Sequence, residues 1–341
     1  MTDVRGVEQV RVSNWLSTHV SGAVAPFSFD LIAGGRSNLT YKVTGADGRR
    51  FVLRRPPMGN VLATAHDMGR EHRIISAVGK TSVPVAPALG MCTDELVNGA
   101  PFYVMGYVEG LVLASPEAGY AFPERLRPAA ANSLIDTLAD LHAVDPDAIG
   151  LGELGKREGY IERQLRRWST QWEKSKAREL PLMEEVHARL SDLRPEQRYT
   201  GIVHGDYRLG NALVSEEDGT IQAVLDWELC TLGDLLADVG YLLVYWSDPG
   251  PNPMRKNDPS GAPGFPSRAE LLGRYAARTG RDLSAIGYYE AFSCWRLACI
   301  AEGVLSRYRA GVMADTNEEA EAEDGVLALA TRAIRAIEAM A

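Results

Sequence analysis

The chain has 341 residues, more than one hydrophobic core usually organises, so two lobes with a cleft between them are expected. Apolar residues make up 45% and charged residues 24%, the proportions of a soluble globular protein, and the net charge of −9 argues against a nucleic-acid or anionic-membrane partner. The amino terminus has no apolar signal-like core, and no later stretch approaches the roughly 18 apolar residues of a membrane span, which reads as a cytosolic protein. Cys92, Cys230, Cys294 and Cys299 form no C-x-x-C pair and stand among apolar neighbours, the pattern of core packing rather than of a metal site or disulfide.

In chain order, Val7, Val10, Trp15, Leu16 and Val20 predict a docking helix over 7–20. Three short stretches rich in β-branched and aromatic residues follow, FSFDLIAGG, NLTYKVTGADG and RRFVLRRPP. Asp47-Gly48 marks a hairpin turn between the last two, so three antiparallel strands are expected. Helical spacing through Met68, Ile74, Ile75 and Val78 predicts a helix over 64–78, and further strands are expected at 87–92 and 102–108. Beyond Glu109-Gly110 helix patterns dominate: Leu134, Leu138, Leu141 and His142 mark a core-facing helix over 126–144, with His142 read as a packed helix-end residue. One or two charged amphipathic helices are expected over 160–193, and the proline-rich run 249–266 reads as a long mobile loop. The domain reading is 1–108 and 109–341.

The informative segment is His204-Gly-Asp-Tyr-Arg-Leu-Gly-Asn211, followed by the apolar strand Ile221 to Leu225 and then Asp226. Transfer of the γ-phosphoryl of ATP needs a carboxylate to orient and deprotonate the attacking hydroxyl, and hard oxygen ligands for Mg²⁺. Asp206 suits the first role; Asn211 and Asp226 suit the second. His204 is assigned to loop architecture.

With HGDYRLGN and VLDWE in these places, the chain resembles the aminoglycoside-phosphotransferase-like branch of the protein-kinase-like superfamily, from about Phe29 to Arg309. Within that branch it resembles the kinase-like domains fused to acyl-CoA dehydrogenases. The resemblance implies an α+β, protein-kinase-like two-lobed fold, with a small antiparallel-sheet N-lobe and a larger, mostly helical C-lobe. It implies ATP and Mg²⁺ as cofactors and a small-molecule hydroxyl as acceptor. Gly35, Arg36, Ser37 and Asn38 then stand where a glycine-rich loop would cover the ATP phosphates. Arg54, on a strand whose period of two pairs it with Val52, takes the place of the kinase lysine, with Glu71 as its ion-pair partner. Met105, Tyr107 and Val108 stand where hinge groups would meet the adenine. Glu228 is open between the metal's surroundings and solvent. Asp238 is read as a brace for the catalytic loop near His204, with Asp234 open between a similar role and a helix cap. A catalytically inactive nucleotide-binding or scaffolding module is the alternative; the presence of Asp206, Asn211 and Asp226 disfavours it.

The segment 156–178 carries Lys156, Arg157, Arg163, Arg166, Arg167, Lys174, Lys176 and Arg178 against Glu158, Glu162, Glu173 and the adjoining Glu179, and Arg296 of a later helix is a candidate to add to the same side. Two readings stand: a solvated amphipathic face with pairs such as Glu162–Arg166, or a wall for a neutral or anionic acceptor such as a hydroxyacyl-CoA.

Overall fold

A computed structural model of the protein describes residues 4–33, 38–58, 67–176, 178–247, 258–309 and 316–340. The chain divides into two compact units. The first comprises Met1–Gly110 with Ile149–Leu151 and Gln222–Glu228; the second holds the rest. A linear reading of domains does not express those two returning segments.

The first unit is built on a five-stranded sheet. Helix α1 (Gln9–His19) precedes β1 (Ser28–Ala33), β2 (Leu39–Thr44) and β3 (Arg50–Arg55); α2 (Met68–Val78), β4 (Ala88–Cys92), the short α3 (Glu95–Asn98) and β5 (Phe102–Gly106) follow. The strands lie in the order β1-β2-β3-β5-β4, and every neighbouring pair is antiparallel. The β2–β3 turn is tight because Gly48 takes φ 81°, a conformation costly for a residue with a Cβ, while Asp47 Oδ1 accepts the Arg49 N–H. Alternation along β3 sends Phe51 and Leu53 into a cluster with Val12 and Leu16 of α1, Tyr41, Val43, Phe102 and Val104. Trp15 meets the Phe102 ring edge-on at 5.0 Å. The helix uses Val12 and Leu16, an i,i+4 pair, and leaves Val10 exposed, so the expected apolar set was one residue out. Arg55, on the same face of β3, is buried and donates to the backbone carbonyls of Gly6, Asn98 and Pro56. Helix α2 opens at its cap Asp67, whose side chain accepts the Arg70 N–H, and buries Met68, Glu71, Ile74, Ile75 and Val78. The expected start of this helix at 64 falls outside the described residues.

The second unit is mostly helical: α4 (Pro116–Ala121), α5 (Arg127–Ala143), α6 (Tyr160–Ser175), α7 (Pro181–Asp192), then β6 (Thr200–Val203) and β7 (Ala212–Val214). After β8 (Ile221–Val224), which carries the chain into the first unit, come β9 (Thr231–Asp234), α8 (Leu236–Val244), α9 (Arg268–Thr279), α10 (Ile286–Arg309) and α11 (Thr316–Glu338). Strand β6 pairs antiparallel with β9, and the two flank the catalytic-loop candidate and the start of α8. Every residue of α8 is buried, which its nearly unbroken apolar sequence requires. At Gly240 it runs so close to α10 that a Cβ would lie 2.5 Å from the Tyr289 backbone carbon. Helix α9 is tied to α5 by Arg274 on Asp136 and Arg278 on Asp140, at 2.6 and 2.5 Å.

The mobile-loop expectation for 249–266 needs correcting where the structure describes it. Residues 258–262 are buried, Ser260 Oγ accepts the Ser247 N–H at 2.9 Å, and the Trp246 indole donates to Pro266 O. Proline and glycine here make a packed turn against α4, where Gly119 lies under the Pro259 carbonyl. The remainder of that run, 249–257, lies outside the described residues.

Asp234, at the end of β9, is 1% exposed and accepts the Tyr289 hydroxyl at 2.6 Å and the Leu236 N–H at 3.3 Å. Burial pushes its carboxyl up to about 6. A carboxyl whose folded pKa is raised stabilises the fold while protonated, and that contribution disappears as pH rises from about 4 through about 6. Asp234→Asn removes the charge and keeps one oxygen to accept the Leu236 N–H, while its amide nitrogen can donate to the Tyr289 hydroxyl oxygen. Melting curves of both proteins should therefore coincide near pH 4 and separate by pH 7, the variant being more stable by up to about 3 kcal/mol. A constant difference across that range would contradict the assignment.

Candidate active site

Two clusters carry the residues singled out from the sequence, one in each unit. In the first unit Arg54 stands opposite Tyr103 in the β3–β5 ladder, with Val52 opposite Met105. Arg54 Nε lies 3.0 Å from Glu71 Oε2, and its Nη2 donates to Asp226 Oδ1 at 2.6 Å. Glu71 is nearly saturated: Tyr103 Oη donates to Oε2 and Asn38 Nδ2 to Oε1, both at 2.9 Å. Burial works against the charge on Arg54, but Glu71, Tyr103 and Asp226 outweigh it and raise its pKa further. The guanidinium is therefore a fixed cation in a low-dielectric setting, where its partners count for more than in water.

Asp226 takes φ 63°, the one non-glycine residue among those described with positive φ. Such a conformation costs a residue with a Cβ of order 1 kcal/mol and persists where the surroundings impose it. Its Oδ2 has no partner among the described residues, and its side chain is 29% exposed. Glu228 accepts from Asn38 at 3.4 Å and lies 3.9 Å from Arg54 Nη2, so it belongs to this polar cluster rather than to open solvent. Asn38 is thus placed inside the cluster, while Gly35, Arg36 and Ser37 lie outside the described residues. Lys42 pairs with Asp30 at 3.4 Å, and Arg55 is spent on carbonyls, which leaves Arg54 as the cation of β3 beside Asp226. Tyr107 and Val108 follow the last ladder pair, Phe51 with Gly106. Their backbone joins no turn or loop hydrogen bond among the described residues.

In the second unit the loop 204–211 is held from beneath. Asp238, fully buried at the start of α8, accepts the N–H of His204 at 2.6 Å and of Gly205 at 2.8 Å, one on each oxygen. Burial opposes its charge, yet His142 and the Gly205 N–H outweigh that and leave its pKa below the ordinary value. The proton on His142 follows from the network. Ionised Asp238 can only accept, so His142 Nε2–H faces it at 3.4 Å and Nδ1 accepts the Tyr275 hydroxyl, whose oxygen in turn accepts from Arg281. His204 is buried, its Nδ1 accepting the Asp206 N–H. Gly205 takes φ 85° with the Leu229 carbonyl 2.9 Å from where a Cβ would stand. Tyr207 and Leu209 point inward, the Tyr207 hydroxyl donating to Leu134 O. Arg296 donates to Gly205 O at 2.6 Å between the rings of Trp168 and Tyr241; it is a buried brace, not the exposed wall cation expected.

Asp206 is thereby held half-buried, its side chain about a fifth exposed. Its Oδ2 accepts Asn211 Nδ2 at 2.7 Å; Oδ1 accepts no well-formed hydrogen bond among the described residues, lying 3.5 Å from Arg208 Nε, with the Tyr241 hydroxyl also interacting with this carboxylate. Asn211 spends its amide nitrogen on Asp206, and nothing among the described residues donates to its carbonyl oxygen. Asn211 Oδ1 in the second unit and Asp226 Oδ2 in the first are each a hard oxygen without a partner among the described residues, the donor type that Mg²⁺ takes. Among the described residues no three His, Cys, Asp or Glu side chains gather as a metal cage built from protein alone.

Sequence reasoning left Tyr103, Arg208, Tyr241 and Tyr245 unassigned. Register could have found Tyr103, since strand pairing puts it opposite Arg54. Arg208 stands inside the motif, but its stacking on Tyr245 at 4.9 Å depends on a helix 37 residues away. The basic segment on and around α6 is partly neutralised. Arg166 pairs with Glu162, Arg157 with Asp147, Lys176 with Glu173 and Glu184, and Arg178 with Glu323. Arg167 and Lys174 have no carboxylate partner among the described residues and, with Arg163, Arg166, Thr170 and Gln171, line a shallow groove of about 400 Å³.

Comparison with known proteins accords with this geometry. Residues 28–271 match the model of the phosphotransferase enzyme family. The mouse acyl-CoA dehydrogenase family member 10 is 36% identical over 301 residues, covering 87% of this chain and 28% of that protein. The rat family member 11 is 33% identical over 282 residues, covering 81% of this chain and 36% of that one. The chain thus spans about a third of the length of these relatives. A Ralstonia eutropha crystal structure, provisionally an aminoglycoside phosphotransferase, is 32% identical with a TM-score of 0.82, covering 96% of this chain and 98% of that one. A macrolide 2'-phosphotransferase type I shares the fold at 19% identity and a TM-score of 0.63, covering 96% and 99% of the two chains. The protein-kinase-like fold expected from HGDYRLGN and VLDWE is the one observed, and the chain belongs to the phosphotransferase enzyme family.

Proposed function

We propose that the chain is an ATP- and Mg²⁺-dependent kinase that moves the γ-phosphoryl of ATP to a hydroxyl of a small molecule, with Asp206 as the base. The observation that carries this reading is the divided carboxylate of Asp206: Oδ2 is pinned by Asn211 and Oδ1 accepts no well-formed hydrogen bond among the described residues. A general base needs one oxygen to fix its direction and the other to receive the proton. In the step, the acceptor O–H gives its proton to Oδ1, its oxygen attacks the γ-phosphorus, and the bond to the β–γ bridging oxygen breaks so that ADP leaves with that electron pair. Mg²⁺, held by Asn211 and Asp226, would offset the charge on the phosphate oxygens. Arg54 orients Asp226 and supplies a fixed positive charge for the phosphates. The backbone of Tyr107 and Val108, with Val52 and Met105, would receive the adenine, and Gly35, Arg36, Ser37 and Asn38 would lie over the phosphates. The inactive-module alternative finds no support, since the base and both oxygen ligands are present. Work in the cytosol, without nucleic acid or membrane, suits the net charge; among the described residues no helix is long and apolar enough to cross a membrane.

For the acceptor, a neutral or anionic molecule suits Arg167 and Lys174, which have no carboxylate partner among the described residues, better than a polycation does. The relatives' name suggests a hydroxyacyl-CoA as the candidate. Efficient phosphorylation of kanamycin-like polycations, with no response to anionic hydroxy compounds, would overturn this choice.

Asp206→Asn should lower ATP turnover roughly 100- to 10,000-fold while calorimetry finds nucleotide affinity little changed. Retention of most activity would remove Asp206 from the role. Asn211→Ala and Asp226→Ala should each raise the Mg²⁺ concentration needed for half-maximal turnover and nearly abolish transfer; full wild-type activity in excess EDTA would contradict the metal assignment.

Arg54→Ala should leave Glu71 buried without its cation, costing about 3–5 kcal/mol of stability, and weaken ATP binding strongly, whereas Arg54→Lys should stay partly active. Adding Glu71→Gln to Arg54→Ala should recover much of the melting temperature without recovering ATP affinity. Recovery of both would make Arg54 a purely structural residue.

A further inference from the structure

Arg208 forms one ion pair, to Asp206 at 3.5 Å, and no hydrogen bond among the described residues, although a guanidinium carries five N–H donors. Its Nε and Asp206 Oδ1 are both shut off from solvent, while the two side chains as wholes are about a fifth exposed. The guanidinium is positioned rather than loose. It stacks on the Tyr245 ring at 4.9 Å, and Gly210 makes room for it: a Cβ there would come within 2.3 Å of Nη1 and 3.0 Å of Cζ. Tyr245 in turn accepts the Tyr241 hydroxyl at 3.4 Å.

The place of this cation on the base is informative. Asn211 occupies Oδ2, which marks that edge of the carboxylate as the metal edge. The opposite edge, Oδ1, must receive the acceptor's proton, and Arg208 covers it. An acceptor hydroxyl that reaches Oδ1 has to displace Nε, and it then sits within a few ångströms of a donor fork with no other hydrogen-bond partner among the described residues. A carboxylate matches such a fork bidentately, with charge-assisted bonds worth more than the 3.5 Å pair they would replace.

We propose that Arg208 selects the acceptor: it caps Oδ1 while the acceptor is absent, and a carboxylate carried near the acceptor hydroxyl draws it away and uncovers the base. The acceptor class is then a hydroxy acid whose carboxylate is free; a hydroxyacyl-CoA, its carboxyl tied up as a thioester, does not offer that group, so this reading replaces that candidate while keeping an anionic acceptor. Capping also keeps water from Oδ1, so ATP is not hydrolysed while the acceptor is absent. This rests on the phosphotransfer reading above, with Asp206 as base.

The test compares wild type, Arg208→Met and Arg208→Lys, each checked by thermal melting. The probes are 2-, 3- and 4-hydroxybutyrate, the matching amides, and 3-hydroxybutyryl-CoA. Wild type should use one hydroxybutyrate roughly 10- to 100-fold better in kcat/KM than its amide, the range of a charge-assisted hydrogen bond. Arg208→Met should bring that ratio close to one and raise acceptor-free Mg²⁺–ATP hydrolysis several-fold, while Arg208→Lys keeps an intermediate preference. A merely structural residue would lower every rate together and would not raise hydrolysis. Equal use of acid and amide by wild type would overturn the proposal, as would a preference for the CoA thioester that Arg208→Met leaves untouched, or hydrolysis unchanged in Arg208→Met. A wild type that hydrolyses ATP but uses none of the probes also overturns it, yet leaves the phosphotransfer reading standing. Failure of wild type to bind Mg²⁺–ATP in calorimetry would sink that reading itself.

Discussion

One buried carboxylate sets the geometry of the catalytic-loop candidate. Asp238 sits at the head of an entirely buried helix and uses both oxygens on consecutive backbone N–H groups, those of His204 and Gly205. An ionised group this deep is costly unless every lone pair is answered, and here two amides and the His142 N–H answer it. With His204 and Gly205 fixed, Asp206 is held by its N–H on His204 Nδ1 and by Asn211 Nδ2 on its Oδ2. Arg296 closes the loop from the other side through the Gly205 carbonyl. The positive φ of Gly205 then follows from packing against Leu229, not from any preference of the loop itself.

The first unit solves a related problem with an arginine. A lysine on β3 would offer one point charge, whereas Arg54 presents a planar fork that reaches Glu71 with Nε and Asp226 with Nη2 at once. Tyr103 and Asn38 complete the shell of Glu71, so the cluster is nearly saturated before any ligand arrives. The same fork that ties Asp226 down leaves that residue one carboxylate oxygen, and the left-handed backbone at Asp226 shows that its placement is imposed from outside. The residue's own preference is overruled by its neighbours.

Charge on the helical unit illustrates why composition overstates a field. The run 156–178 is strongly basic on paper, yet four of its cations are matched by carboxylates, some of them far away in sequence such as Glu323. Arg296 is withdrawn into the interior altogether. What survives is a short stripe on α6 and the single guanidinium of Arg208. An exposed pair is worth little on its own, so the remaining field is local and its effect is felt by groups within a few ångströms.

The sequence by itself determined the parts whose information is local or carried by a spaced motif. Period two along β3 separated Val52 and Arg54 from Leu53, Asp47-Gly48 set a hairpin, and the spacing of HGDYRLGN and VLDWE pointed to the family and to Asp206, Asn211 and Asp226. His142 was legible as a packed residue from its place at the end of an apolar helix face. Tertiary structure decided whatever depends on partners distant in the chain. That Tyr103 serves Glu71, that Arg208 covers one oxygen of Asp206 against Tyr245, and that residues 258–262 are buried despite their turn composition all come from long-range packing. Proline and glycine mark where the backbone bends but not whether another element lies over the bend. A basic residue declares its charge in the sequence, and only the folded chain decides which carboxylate, carbonyl or ring that charge meets.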